Sequence, residues 1–214
     1  MRAAIYGGSF NPVHTGHLGV ARRALAELAL DRLIVVPANV SPFKSEQPAV
    51  WDRVAQVKAA FRDLERTVVD LREIARGGVS YAIDTVREVR RELEAECAGA
   101  PLELFFIVGE DSVEGLPRWK DIDELRRLCV FRSFPRTHES STAIRRLFEE
   151  GRVVLNPDSR LVRTVREGLE RKGGYCPCRL PKLPEFFCPC DEFRSQLADP
   201  GFHGLCHCRL YLKP

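Results

Sequence analysis

Long apolar runs are missing from this 214-residue chain, and so is any block of one charge. No stretch approaches the roughly 20 apolar residues that cross a bilayer, so no membrane partner is expected. The opening Met1–Gly8 is too short, and too soon interrupted by glycine, for a signal-peptide core. The expected location is therefore the cytoplasm. Lysine and arginine total 33 against 30 acidic residues, a net charge of +3, which gives no cationic face to suggest a nucleic-acid partner. Neither G-x-G-x-x-G nor a Walker A loop occurs, which removes those two modes of nucleotide binding. Internal repeats, low-complexity tracts and Gly/Ser/Pro linkers are also missing. Cysteine is scarce across the first 175 residues, where only Cys97 and Cys129 occur and read as packing residues.

What is present is an alternation of strand-like and helix-like stretches. Hydrophobic residues make up 44% and charged residues 29%, the balance of a folded chain rather than a disordered one. Apolar, β-branched runs at Ala3–Tyr6, Leu33–Val36, Thr67–Val69, Leu102–Val108 and Cys129–Phe131 predict strands. Helical spacing covers His17–Leu30, about Trp51–Leu64, Tyr81–Cys97, Ile122–Leu128 and Asp158–Lys172. Continuous apolar strands alternating with helices predict an α/β fold, a doubly wound parallel sheet covered on both faces. Ligands in such folds sit beyond the carboxyl ends of the strands. That rim would hold Gly7–His17, Pro37–Lys44 and Gly109–Asp111.

The first chemical signal is Gly7-Gly8-Ser9-Phe10-Asn11-Pro12-Val13-His14-Thr15-Gly16-His17, which joins the first strand to the first helix. Glycines let backbone approach a ligand, and a helix start offers N–H groups to an anion. Imidazoles at His14 and His17, three residues apart at that start, suit a bound phosphate and the charge that develops in phosphoryl transfer.

This string resembles the H-x-G-H nucleotidyltransferases, and in particular the nicotinate or nicotinamide mononucleotide adenylyltransferases. Further motifs follow in that family's order: Pro42-Phe43-Lys44, Ser80 to Thr85, Ile107 to Ser112 with Leu116 to Lys120, and Ser140 to Arg145. The resemblance spans Met1 to about Glu150. It implies a Rossmann-like fold and adenylyl transfer from ATP to a pyridine mononucleotide, with Mg²⁺ accompanying ATP. It implies catalytic roles for His14, His17 and Arg145. Gly8, Ser9, Phe10, His17, Gly109, Asp111, Ser141, Thr142 and Arg145 would bind ATP. Lys44, Thr85 and Trp119 would bind the mononucleotide, with Trp119 stacked on the pyridine ring and Thr85 on its carboxylate or amide. The acid and amide substrates are left undivided. One departure stands out: only Ser133–Glu139 separate Arg132 from Ser140, where the family carries a longer stretch with a further strand.

The second signal is six cysteines in three C-x-C pairs, Cys176/Cys178, Cys188/Cys190 and Cys206/Cys208. Residues 151–214 also carry 11 basic and 7 acidic residues, against 22 and 23 in residues 1–150. In a reducing compartment clustered thiols read as metal ligands or redox centres. Spacing alone leaves an iron–sulfur cluster, zinc and structural disulfides open.

The pattern C-P-C, C-P-C, C-H-C resembles the catalytic chain of ferredoxin:thioredoxin reductase. That resemblance implies a 4Fe–4S cluster on Cys176, Cys188, Cys190 and Cys206, and a redox-active disulfide between Cys178 and Cys208. His207 would handle the proton, with a ferredoxin-like electron donor and a thioredoxin-like protein target. The expectation is thus two modules: a nucleotidyltransferase domain over 1–150, and a small α-helical Fe–S module over 151–214. Two alternatives are retained. In one, the body binds nucleotide without efficient turnover and responds to redox state. In the other, zinc stabilises the tail.

Overall fold

The computed structural model describes residues 1–43, 50–135 and 141–214. Strands β1 (Arg2–Gly8), β2 (Arg32–Pro37), β3 (Thr67–Val69), β4 (Glu103–Gly109) and β5 (Val130–Phe134) form one sheet. Its order is β3-β2-β1-β4-β5, and every pairing is parallel. The chain winds outward from β1 through β2 to β3, then returns to lay β4 and β5 on the other side. The order therefore reverses between β1 and β4, which opens a crevice at their carboxyl ends.

Alternation along the strands divides the core into two layers. Ala4, Tyr6, Leu33, Val35, Phe105 and Ile107 face helices α1 (Thr15–Glu27) and α2 (Val50–Phe61). Ala3, Ile5, Ile34, Val36, Phe106 and Val108 face the opposite layer. After the short α3 (Arg72–Arg76), that layer is built from α4 (Ala82–Cys97) and α6 (Ile122–Leu128), with Leu116 and Trp119 packed against it, while α5 (Glu110–Val113) follows β4 and buries no residue. The five expected strands and the long helices are all present. Among the described residues no strand lies between β5 and α7 (Ser141–Glu149), in keeping with the short connection.

The tail departs from the all-helical expectation. Besides α8 (Ser159–Arg171) and α9 (Asp191–Ala198), it holds a small antiparallel sheet of β6 (Val154–Leu155), β7 (Gly204–Leu205) and β8 (Tyr211–Lys213), in order β6-β8-β7. The last cysteine pair sits in the turn between β7 and β8, where Cys206 N–H donates to Tyr211 O at 2.9 Å. That turn folds the chain back on itself and creates the strands.

Cys176, Cys190, Cys206 and Cys208 join Val153, Val165, Phe193 and Leu210 in the tail's own core. Yet Tyr175 and Phe187 belong to the body's core, beside Phe61. At Gly173 (φ +68°), a Cβ would stand 2.5 Å from Ala59 O of α2. Lys182 pairs with Asp63, and Arg22 donates to the Tyr175 hydroxyl at 3.3 Å. The two parts meet through packed side chains rather than a linker. A cavity of about 440 Å³ lies at the joint, with Val13 and Ile144 on one wall and Phe187, Cys188 and Tyr211 on the other. Among the described residues, no helix is long and apolar enough to cross a membrane.

Candidate functional site

The crevice at the carboxyl ends of β1 and β4 gathers most of the expected residues. Beyond Gly8 the backbone turns sharply at Phe10, which sits in the left-handed region at φ 45°. A non-glycine there costs energy, and burial of the ring holds it. Phe10 packs on Tyr6 (5.4 Å), His17 (5.0 Å) and Phe61 (6.0 Å) between ring centroids.

His14 caps α1 and is nearly buried. Its ring lies 3.9 Å from that of His17, centroid to centroid. The His14 backbone N–H donates to His17 Nδ1 at 3.2 Å. Because Nδ1 accepts, the proton of a neutral His17 resides on Nε2, which leaves a ring N–H to donate. The helix start and two imidazoles thus converge on one spot.

The start of α7 closes on the same turn. Ser141 Oγ donates to Pro12 O at 2.9 Å. Arg145 Nη1 donates to Asn11 O at 2.6 Å, and its Nη2 to Thr142 Oγ1 at 3.2 Å. Both side chains expected on phosphate therefore hold the cradle's backbone in this structure. At the end of β4, a Cβ on Gly109 would stand 2.6 Å from Asp111 Oδ1, so a side chain there would displace the Asp111 carboxylate from its present position.

Trp119 stands on the other face of the sheet. It packs edge-on to Phe106 (5.6 Å) and Phe131 (6.0 Å) and keeps part of its ring accessible. Thr85 requires a correction. It is 0% exposed, and its hydroxyl donates to Glu73 Oε1 at 2.6 Å. The reason is positional: Thr85 lies on the apolar stripe of α4 with Ile83, Val86 and Val89. Glu73 is itself buried, which pushes its carboxyl above the usual range; hydroxyls of Thr85 and Ser80 pull the other way. Lys44 lies outside the described residues, as does Ser140.

Sequence reasoning missed Arg53. Its side chain is 2% exposed; Nη1 donates to Ser9 O at 2.7 Å and Nη2 to Asn39 O at 3.1 Å. The available signal was spacing: Arg53 shares a helical stripe with Val57 and Phe61.

All six tail cysteines come together in one unit, but not as expected. Each is a free thiol, Cys178 and Cys208 included. Cys208 lies 3.5 Å from Cys206, sulfur to sulfur. Its thiol also reaches Cys176, and hydrogen bonding to Cys208 holds both partners down to about 6. Those bonds keep Cys208 well above the ordinary thiol range. Cys178 is exposed, and partial burial with the nearby Cys176 and Cys206 charges raises its thiol. Hydrogen bonding thus lowers Cys176 and Cys206, whereas Cys178 is raised. His207 is exposed beside the pair. Cys188 and Cys190 are pushed up by burial. Among the described residues, no group of three or more His, Cys, Asp or Glu is set to hold a metal ion. The donor chemistry suits a soft metal centre, but Cys176, Cys188, Cys190 and Cys206 do not form a ligand cage here. Cys129 is pushed up to about 12 by burial and is inert packing.

A doubly wound sheet with an H-x-G-H turn at its switch point defines the class, and the chain belongs to the cytidylyltransferase-like family, whose model matches residues 5–162. Among its curated relatives is a probable nicotinate-nucleotide adenylyltransferase of Gemmatimonas aurantiaca, 44% identical over 126 residues, covering 58% of this chain and 57% of that one. Another, from Shouchella clausii, is 39% identical over 142 residues and covers 65% and 71%. The chain thus spans little more than half the length of the first and under three quarters of the second. A Plasmodium falciparum nicotinic acid mononucleotide adenylyltransferase, solved in complex with NaAD, shares the fold at 13% identity and a TM-score of 0.52, over 68% of this chain and 83% of that one.

Proposed function

We propose that this chain transfers the adenylyl group of ATP to nicotinate mononucleotide, releasing pyrophosphate and forming the dinucleotide used in NAD synthesis. The observation that carries the reading is the imidazole pair at the start of α1, the two rings 3.9 Å apart, with His17 Nδ1 accepting from the His14 amide. A mononucleotide phosphate oxygen attacks the α-phosphorus of ATP, and the bond from that phosphorus to the β-phosphate bridging oxygen breaks. Pyrophosphate carries away the bonding pair. The attacking phosphate is already ionised, so no general base is required. Catalysis is positioning and charge neutralisation.

In this reading His14, His17 and Arg145 face the ATP phosphates with Ser141 and Thr142. Gly8, Ser9 and Phe10 shape the cradle, and Gly109 and Asp111 meet the adenosine. Mg²⁺ arrives with ATP as part of the substrate. Trp119 stacks on the pyridine ring and Lys44 counters the mononucleotide phosphate. Thr85, buried on Glu73, supports that side from behind. Similarity to named nicotinate-nucleotide adenylyltransferases supports the acid over the amide. The test is pyrophosphate release with ATP and either mononucleotide, the acid giving the larger kcat/KM.

A second reading concerns the tail: a 4Fe–4S thiol-disulfide reductase served by a ferredoxin-like donor and acting on a thioredoxin-like protein. What favours it is that the three C-x-C pairs are drawn into one unit while Cys178 stays at the surface. Metal analysis of anaerobically purified protein tests it. Iron with matching sulfide supports the cluster; zinc alone assigns the tail a structural metal.

A further inference from the structure

Arg53 has the wrong chemistry for its place. It occupies the buried stripe of α2, where an aliphatic side chain would fill the space without desolvating a charge. Among the described residues its Nε has no hydrogen-bond partner, and no carboxylate lies within ion-pair distance of it. Burying a guanidinium with no counter-ion among the described residues is unfavourable, because its charge is taken out of water. The fork must therefore do something that an apolar residue cannot.

What it holds is informative. Ser9 O belongs to the turn after β1, in the anion cradle. Asn39 O belongs to the segment after β2, which leads into Pro42-Phe43-Lys44. These are the two loops that, on the adenylyltransferase reading, carry the two anionic reactants. Asn39 is also gripped from its other side. Its N–H donates to Ser80 Oγ at 2.9 Å and its Nδ2 to Gly78 O at 2.9 Å. Ser80 in turn bonds Glu73, as Thr85 does. Asn39 is thus fixed between a buried cation and a buried hydroxyl network.

We propose that Arg53 is a positioning residue: one guanidinium ties the two substrate-bearing loops together and places a buried positive charge behind both. The inference rests on the adenylyltransferase reading. Its geometry explains why arginine is needed. Two donors in a rigid fork reach two carbonyls at once, whereas a lysine ammonium on a flexible stem offers no such fork.

The experiment uses the full chain with Arg53→Met and Arg53→Lys, assayed for pyrophosphate release with ATP and nicotinate mononucleotide. Arg53→Met should fold, keep its melting temperature, and lose about 100-fold in kcat/KM, with KM raised for both substrates. Arg53→Lys should keep the charge yet lose about tenfold, mostly in kcat. Arg53→Ala should regain part of its rate with added methylguanidine and none with methylamine, a rescue that a merely structural role would not give. A folded Arg53→Met with both KM values and kcat within twofold of the parent overturns the proposal; if that variant does not fold, Arg53→Lys decides on the same criterion. Should the parent itself release no pyrophosphate, the adenylyltransferase reading fails separately. The clamp is then judged by hydrogen exchange, which in Arg53→Met should quicken at residues 8–10 and 38–40. Unchanged exchange there overturns it.

Discussion

His17 and Glu73 are single residues whose surroundings set testable behaviour. His17 spends Nδ1 on the His14 amide, which fixes the ring and aims its remaining N–H. His17→Ala should lower the rate of pyrophosphate release by about 10²–10³-fold, with circular dichroism unchanged, as read by coupled spectrophotometry. Glu73 works through burial. Its carboxyl titrates above the ordinary range in the folded chain because desolvation outweighs the hydroxyl bonds. A raised carboxyl contributes stability below its unfolded pKa and loses that contribution as pH rises through the folded value. Glu73→Gln keeps an oxygen for the Thr85 hydroxyl and removes the titration. Its stability relative to the parent should therefore improve from pH 4 to pH 7 in urea melts. A constant difference across that range would show that Glu73 does not titrate as its burial requires.

Elements explain how much could be read in advance. The three inner strands β1, β2 and β4 were legible because each is a largely continuous apolar run buried on both faces, the pattern a parallel sheet demands. The edge strands β3 and β5 expose residues such as Val68 and Val130 and were legible only as short apolar runs. Helix α8 was legible from its helical spacing, and its start is capped: Asp158 Oδ1 accepts from the Arg160 and Leu161 amides at 3.0 and 3.1 Å. The strands of the tail were not legible. Two of them have only two residues each, too few to show any period. The role of α7 was half legible. The family resemblance implied a phosphate-facing helix start at Ser141, Thr142 and Arg145. Nothing in the string told that Ser141 and Arg145 grip Pro12 O and Asn11 O, because those are backbone acceptors more than a hundred residues away. Thr85 was misread for a related cause, since a lone hydroxyl does not announce its carboxylate partner. Helix α8 also supplies a prediction. A Cβ at Gly168 would stand 2.8 Å from Pro177 Cβ, so Gly168→Ala should push the first cysteine loop off the helix. The expected cost is about 1–3 kcal/mol, measured by denaturant unfolding.

At the scale of the molecule, the cysteine-rich tail and the doubly wound body share a packing layer. Phe187 of the tail is buried in the body's core, its ring 5.3 Å from Tyr175. Phe187→Ala should destabilise the whole chain by about 3–5 kcal/mol, in one cooperative transition rather than two. Separate transitions would mean that the halves fold alone. The same continuity links the far end of α7 to the tail, since Phe148 packs against Tyr211 at 5.5 Å while the near end grips the cradle. The most direct test of the central claim is a single turnover assay of the full chain with Mg²⁺, ATP and nicotinate mononucleotide, followed by chromatography. The account predicts one pyrophosphate released for each dinucleotide formed; recovery of both substrates unchanged would contradict it.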